Sequence, residues 1–127
     1  MIKVNLNDIL NASETFNTIM QQSFKGSLAF KIARLARELN KEMETFNEER
    51  QKILTRYCVK NENGELKTHE DGTVQVEPSE IANFNEEFQA LLNTSVEINA
   101  DKLPMDKIDD FNITPQEMLN LEKFFED

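Results

Sequence analysis

The spacing of apolar residues changes along this chain, and each change marks an element. The opening "IKVNL" alternates Ile2, Val4 and Leu6, which predicts a short strand with one apolar face. From about Asp8 the period becomes helical, with Ile9, Leu10, Phe16, Ile19, Met20 and Phe24. Asn7 or Asp8 is the expected N-cap, because a short polar side chain can accept from the exposed backbone N–H groups there. "SFKGS" interrupts the pattern. Gly26 is expected to close the first helix with a positive φ, and Ser27 to cap the next.

That next helix carries the strongest signal in the chain. "SLAFKIARLARELNKEMETFNEERQKILTRY" contains no Gly or Pro, and Leu28, Ile32, Leu35, Leu39, Met43, Phe46, Ile53 and Tyr57 step by three or four, with Arg50 filling the one gap. Glu38 and Glu42 repel along it, while Glu48 and Glu49 are placed to attract Lys52. A helix of about 30 residues spans roughly 45 Å. A compact domain of this length has a radius of gyration near 14 Å. The helix therefore projects or finds cover. Either a second copy of the chain covers its stripe, or the helices expected at 81–92 and 115–125 do so within one chain.

Beyond Tyr57 the helical period stops. Leu66 and Thr68, then Val74 and Val76, alternate with polar residues around "HEDG", which predicts a β-hairpin near 65–76 with Asn63-Gly64 as the turn that leads in. Pro78 ends that strand and opens a helix lined by Ile81, Phe84, Phe88, Leu91 and Leu92. "TSVEIN" predicts another short strand, and "DKLPMDKIDDFN" a turn. Thr114, Pro115 and Glu117 spell a capping box for a last helix, with Met118, Leu121, Phe124 and Phe125 facing inward. The fold class is thus α+β: a helical hairpin with one long helix, a small antiparallel sheet and two further amphipathic helices, in a single domain over 1–127.

Charge adds a polarity to this picture. The net charge is −10, but from Lys25 to Lys60 nine Lys/Arg stand against five Asp/Glu, and from Glu77 to Asp127 three stand against thirteen. The cations are too few and too interleaved with Glu for a phosphate-binding stripe, so direct nucleic-acid binding is not expected. No apolar run reaches the roughly 20 residues of a membrane helix. The start "MIKVNLNDILNASE" lacks a basic stretch followed by an apolar one, the mark of a secretory signal. One cysteine, Cys58, rules out an intrachain disulfide.

The chemistry-bearing residues do not assemble into a motif. Placing Gly64 at the sixth position of a calcium loop puts Val59 first and Lys67 ninth, neither of which offers a side-chain oxygen. His69 is the only histidine and falls at the hairpin tip, so no two-His metal site can form within one chain. Cys58 lies at a helix C-terminus, where the dipole opposes a thiolate. Asp106, Asp109 and Asp110 could gather on one turn around a weakly held divalent cation, but the expected reading is a solvated surface. The three glycines are scattered, so there is no phosphate loop. No catalytic residue, metal or cofactor is expected. The nine Phe fit the apolar periodicity and are expected mostly in the core.

The order of features nevertheless looks familiar. "IKVNL", "ILNASETFNTIM", the basic "FKIARLARELNKEMETFNEERQKIL" helix, the "NENG" turn, the "VQVEP" junction and "ITPQEMLNLEKFF" together resemble a family of small proteins of unknown function from tailed bacteriophages and prophages of Gram-positive bacteria. The resemblance spans nearly the whole chain and carries no catalytic residues. It implies a phage origin, action in the cytoplasm of an infected host, and no established enzymatic activity. The expected function is therefore binding to a phage or host protein, in virion assembly or structure, with self-association through the long helix as a further expectation. The alternative is an inhibitor of a host defence or nucleic-acid enzyme with an acidic, DNA-like surface. The candidate surface comprises Arg34, Arg37, Lys41 and Arg50 on the long helix and an acidic rim at Asp106, Asp109 and Asp110.

Overall fold

The structure is a computed structural model that describes residues 1–67 and 73–126. Its elements are β1 (Ile2–Asn5), α1 (Leu6–Ile19), α2 (Gly26–Tyr57), α3 (Ile81–Leu92), β2 (Ser95–Ile98) and α4 (Pro115–Leu121), with short 3-10 turns at Pro78–Glu80, Met105–Asp110 and Glu122–Phe124. The architecture is α+β, with a long helix, a two-stranded antiparallel sheet and further helices. No boundary is marked in the apolar pattern, yet the chain divides into two compact units, Met1–Glu44 with Thr94–Asp127, and Thr45–Asn93. Helix α2 contributes turns to both.

In the first unit β1 pairs antiparallel with β2, Ile2 opposite Ile98 and Val4 opposite Val96. Ile2, Val4 and Ile98 are buried, while Lys3 and its cross-strand partner Glu97 occupy the exposed face, an attractive placement. The strand runs directly into α1. The cap is Asn5, not Asn7 or Asp8. Its Oδ1 accepts from the Asp8 N–H at 2.8 Å, and the Asp8 carboxylate accepts from the Asn5 N–H at 3.1 Å. Asp8 thus takes the third helical position of a capping box instead of the cap itself. It also holds Lys123 Nζ at 3.0 Å.

Helix α1 buries Leu6, Ile9, Ala12, Thr15, Phe16 and Ile19 and packs on α4. Buried Thr15 accepts a long hydrogen bond from Asn120 Nδ2 at 3.4 Å, and Phe16 meets Phe124 edge-on at 5.9 Å. The helix ends at Ile19, so Phe24 lies beyond it and packs on Phe111 at 4.9 Å. The expectation for Gly26 and Ser27 is overturned. Gly26 is the first residue of α2 and has no positive φ, and the first turn closes on the Lys25 carbonyl, which accepts from Ala29 N–H at 2.8 Å. No left-handed stop is needed, because the intervening loop is tied down elsewhere: Gln22 Nε2 donates to the Asn112 carbonyl at 2.9 Å, and Asn112 N–H donates back to Gln22 Oε1 at 3.0 Å.

Thr114 and Glu117 form the expected capping box with Pro115 in the first turn. Helix α4 is short and tightens into a 3-10 turn at Glu122–Phe124. The end of the chain is then stitched to Leu103, whose N–H donates to the Phe124 carbonyl at 2.8 Å and whose carbonyl accepts from Glu126 N–H at 2.9 Å. Leu103, Leu121, Phe124 and Phe125 are buried, and Met118 is half-buried. The first turns of α2 add Leu28, Ile32, Leu35, Ala36 and Leu39 to this core.

In the second unit the later turns of α2 bury Phe46, Ile53 and Leu54, and Cys58 just past the helix is buried as well. Beyond Tyr57 the chain becomes extended. Cys58 bridges Val76 and Lys60 bridges Leu66, both antiparallel, with Val59 N–H donating to Gln75 O at 2.8 Å and Lys67 N–H to Val59 O at 2.9 Å. The tip of the hairpin expected near 65–76, including His69, lies outside the described residues; its described flanks bridge to the segment after α2. Pro78 opens a 3-10 turn that leads into α3. Phe84 and Phe88 stack at 5.7 Å, and Phe88 meets Phe46 at 6.3 Å, but α3 contains no buried residue.

Candidate protein-binding surface

Helix α2 is amphipathic because its residues repeat at three and four. Within the first unit the positions left over by Leu28, Ile32, Leu35 and Leu39 form a second line at Phe30, Arg34, Arg37 and Lys41, all exposed. Residues so spaced stack one above another on a single face. Arg34 and Arg37 make no ion pair among the described residues, whereas Lys41 Nζ sits 3.0 Å from Glu38. Two guanidinium groups are thus presented to solvent with their forked donors unused.

Arg50 belongs to the second unit and is taken by itself. It stands where the apolar repeat between Phe46 and Ile53 calls for a core residue, and it is exposed. The acidic rim is also on the surface. Asp106, Asp109 and Asp110 are exposed on the 3-10 turn at Met105–Asp110. Asp106 and Asp110 border a shallow depression together with Lys25, Lys31 and Lys107, so its charge is mixed; Asp109 does not border it. Among the described residues no three His, Cys, Asp or Glu gather as a metal set would.

The second unit carries an open trough along α2, lined by Asn47, Glu48, Gln51, Lys52, Thr55 and Arg56 among others. Two of its three lining cations are engaged, Lys52 with Glu49 at 3.0 Å and Arg56 with Glu87 at 2.6 and 2.7 Å, while Lys60 makes no ion pair among the described residues. Near it, desolvation and then the Glu87 carboxylate push the Tyr57 hydroxyl above its ordinary value. Burial pushes the Cys58 thiol up as well, the wrong direction for a nucleophilic thiolate. The calcium-like register around Gly64 is explained by a turn. Asn61 Oδ1 accepts from the N–H groups of Asn63 at 2.9 Å and Glu65 at 3.1 Å, which occupies the oxygen a cation would need, and Gly64 takes φ +80°.

One residue of this surface escaped the reading of the pattern. The nine Phe were expected mostly in the core; eight are buried or half-buried, and Phe30, 67% exposed, is the exception. Its position was legible all the same: it lies between Leu28 and Ile32, out of phase with the apolar stripe and in phase with Arg34, Arg37 and Lys41.

Among the described residues no helix is long and apolar enough to cross a membrane. Comparison with protein-family models, with curated proteins and with solved structures finds no match to this chain.

Proposed function

We propose that this chain is a small acidic protein-binding module without enzymatic activity, and that it serves a tailed phage as an accessory protein in the host cytoplasm, in virion assembly or structure. The phage setting rests on the resemblance of the sequence. The binding reading rests on one observation: in a chain of net charge −10, Arg34, Arg37 and Lys41 form a cationic line on one exposed helix face. Such a line steers and orients an acidic partner. A DNA-mimicking inhibitor draws on the same net charge, but Asp106 and Asp110 are interleaved with Lys25, Lys31 and Lys107, which spoils a continuous acidic strip.

Affinity copurification from infected cells tests the reading. The wild-type chain enriches a defined phage or host protein, and the Arg34→Glu/Arg37→Glu double variant loses it. Enrichment that is identical for both would count against the basic face, and no enrichment at all against the binding module.

A further inference from the structure

We infer that the α2 face carrying Phe30, Arg34, Arg37 and Lys41 docks an acidic amphipathic helix of a partner protein, with Phe30 as its apolar anchor. This inference rests on the protein-binding reading above and specifies the partner. Neither the core nor the helix accounts for Phe30. It contributes nothing to the buried stripe, and as an exposed helical residue Phe is a poorer helix former than Ala, Lys or Glu. An aromatic flanked by arginines on an open surface has the composition of an interface hot spot.

The spacing selects the shape of the occupant. From Phe30 to Lys41 the line runs eleven residues, roughly 16 Å of helix, at steps of four, three and four. A second helix laid along it meets such a line with its own three- and four-residue ridges. The charge selects the chemistry. Arg34 and Arg37 present planar forks that carboxylates fill in bidentate fashion, so the partner places an apolar residue opposite Phe30 and Asp or Glu one and two turns further on. A second copy of this chain using the same face is disfavoured, because two-fold pairing would set cation against cation. A phosphate backbone is a poor occupant: the cationic stripe is short, and phosphate offers the exposed Phe30 no apolar partner. That leaves an acidic helix.

Three fluorescent probes test this with the intact protein: a designed helical peptide with a leucine stripe flanked by Glu, a scrambled peptide of the same composition, and single-stranded DNA of similar length. The expected result is saturable binding of the helical peptide, at least about tenfold weaker binding of the scramble, and about a tenfold loss on Phe30→Ala with the melting temperature unchanged. Arg34→Glu/Arg37→Glu abolishes it. If charge reversal abolishes binding while scrambling and Phe30→Ala change it by less than about twofold, the anchored-helix inference falls and a purely electrostatic protein-binding face survives. Failure of the helical peptide to bind at low salt, or tighter binding of the DNA, also overturns the inference. The wider reading is judged separately by copurification.

Discussion

The two units of this chain are built from the same helix and differ in how much they bury. Among the described residues the first holds nineteen buried apolar residues and the second holds four, Phe46, Ile53, Leu54 and Cys58. The reason lies in what faces α2 in each. In the first unit Leu28, Ile32, Leu35 and Leu39 are buried in a core that also takes in α1, the sheet, α4 and the chain end at Phe124–Phe125. In the second unit the repeat is broken by Arg50, and α3 offers Phe84, Phe88, Leu91 and Leu92, which are only half-buried, with Ile81 49% exposed. A segment of about fifty residues with so thin a core has little stability of its own. One long helix therefore does not mean one uniform core.

The largest expected effect follows from this contrast. Leu35→Ala removes a fully buried side chain in the first unit and should cost about 3–4 kcal/mol in urea unfolding. Ile53→Ala, at a site with less surrounding core, should cost about 2 kcal/mol. Native-state hydrogen exchange should show the same order, with α3 amides opening well below the global free energy and α1 amides near it. Equal protection in α1 and α3 would erase the distinction between the units.

Phe88 sharpens the contrast from inside the second unit. It is half-buried but touches both Phe46 and Phe84. Phe88→Ala should therefore cost about 2 kcal/mol, against the 3–5 kcal/mol typical of a fully buried Phe. The variant should speed exchange in α3 while leaving α1 and α4 protected. A loss of protection throughout the chain would mean that the units unfold as one.

How much of this was legible in the sequence depends on the kind of force involved. Helix α2 could be read almost to the residue, because a three-and-four repeat without Gly or Pro has few alternatives. The Thr114–Glu117 box could be read because its partners are three residues apart. The two strands could be seen but not their pairing, since β1 and β2 are joined only by contacts across most of the chain. The cap of α1 was displaced because Asn5 serves both as the last strand residue and as the cap, and Gly26 was misread because Gln22 and Asn112, far apart in sequence, hold the loop that a left-handed glycine was expected to close. The basic residues of the surface were visible in the sequence. Phe30 did not stand out, because nothing in its residue type separates it from the Phe that build the core. Most of the apolar stripe of the long helix is buried within one chain.

Caps give the next effect in size and act in the first unit alone. Thr114→Ala and Asn5→Ala each remove a side-chain acceptor from a helix N-terminus, at an expected cost of about 1 kcal/mol. Asn5→Asp should retain most of that stability, whereas a loss from Asn5→Asp equal to that from Asn5→Ala would mean that the cap is not what holds the strand-to-helix junction.

The smallest effect belongs to the second unit and can be read through a single chromophore. Tyr57 is the only tyrosine and there is no Trp, so an ultraviolet titration reports it alone. Desolvation raises its pKa first, and the hydrogen bond and charge of Glu87 raise it further, while Arg56 opposes both. A folded-state pKa above the unfolded one means that the fold prefers the neutral phenol. That contribution to stability is fully present below about pH 10 and is lost as pH rises through the folded-state value. Glu87→Gln removes the carboxylate while leaving desolvation in place, so the Tyr57 midpoint should fall part of the way toward its ordinary value. The same variant loses the exposed Arg56–Glu87 pair, which should cost no more than about 1 kcal/mol at neutral pH and less at high salt. A Tyr57 midpoint that does not move in Glu87→Gln would show that desolvation alone sets it, and that the carboxylate on α3 exerts no hold on the end of α2.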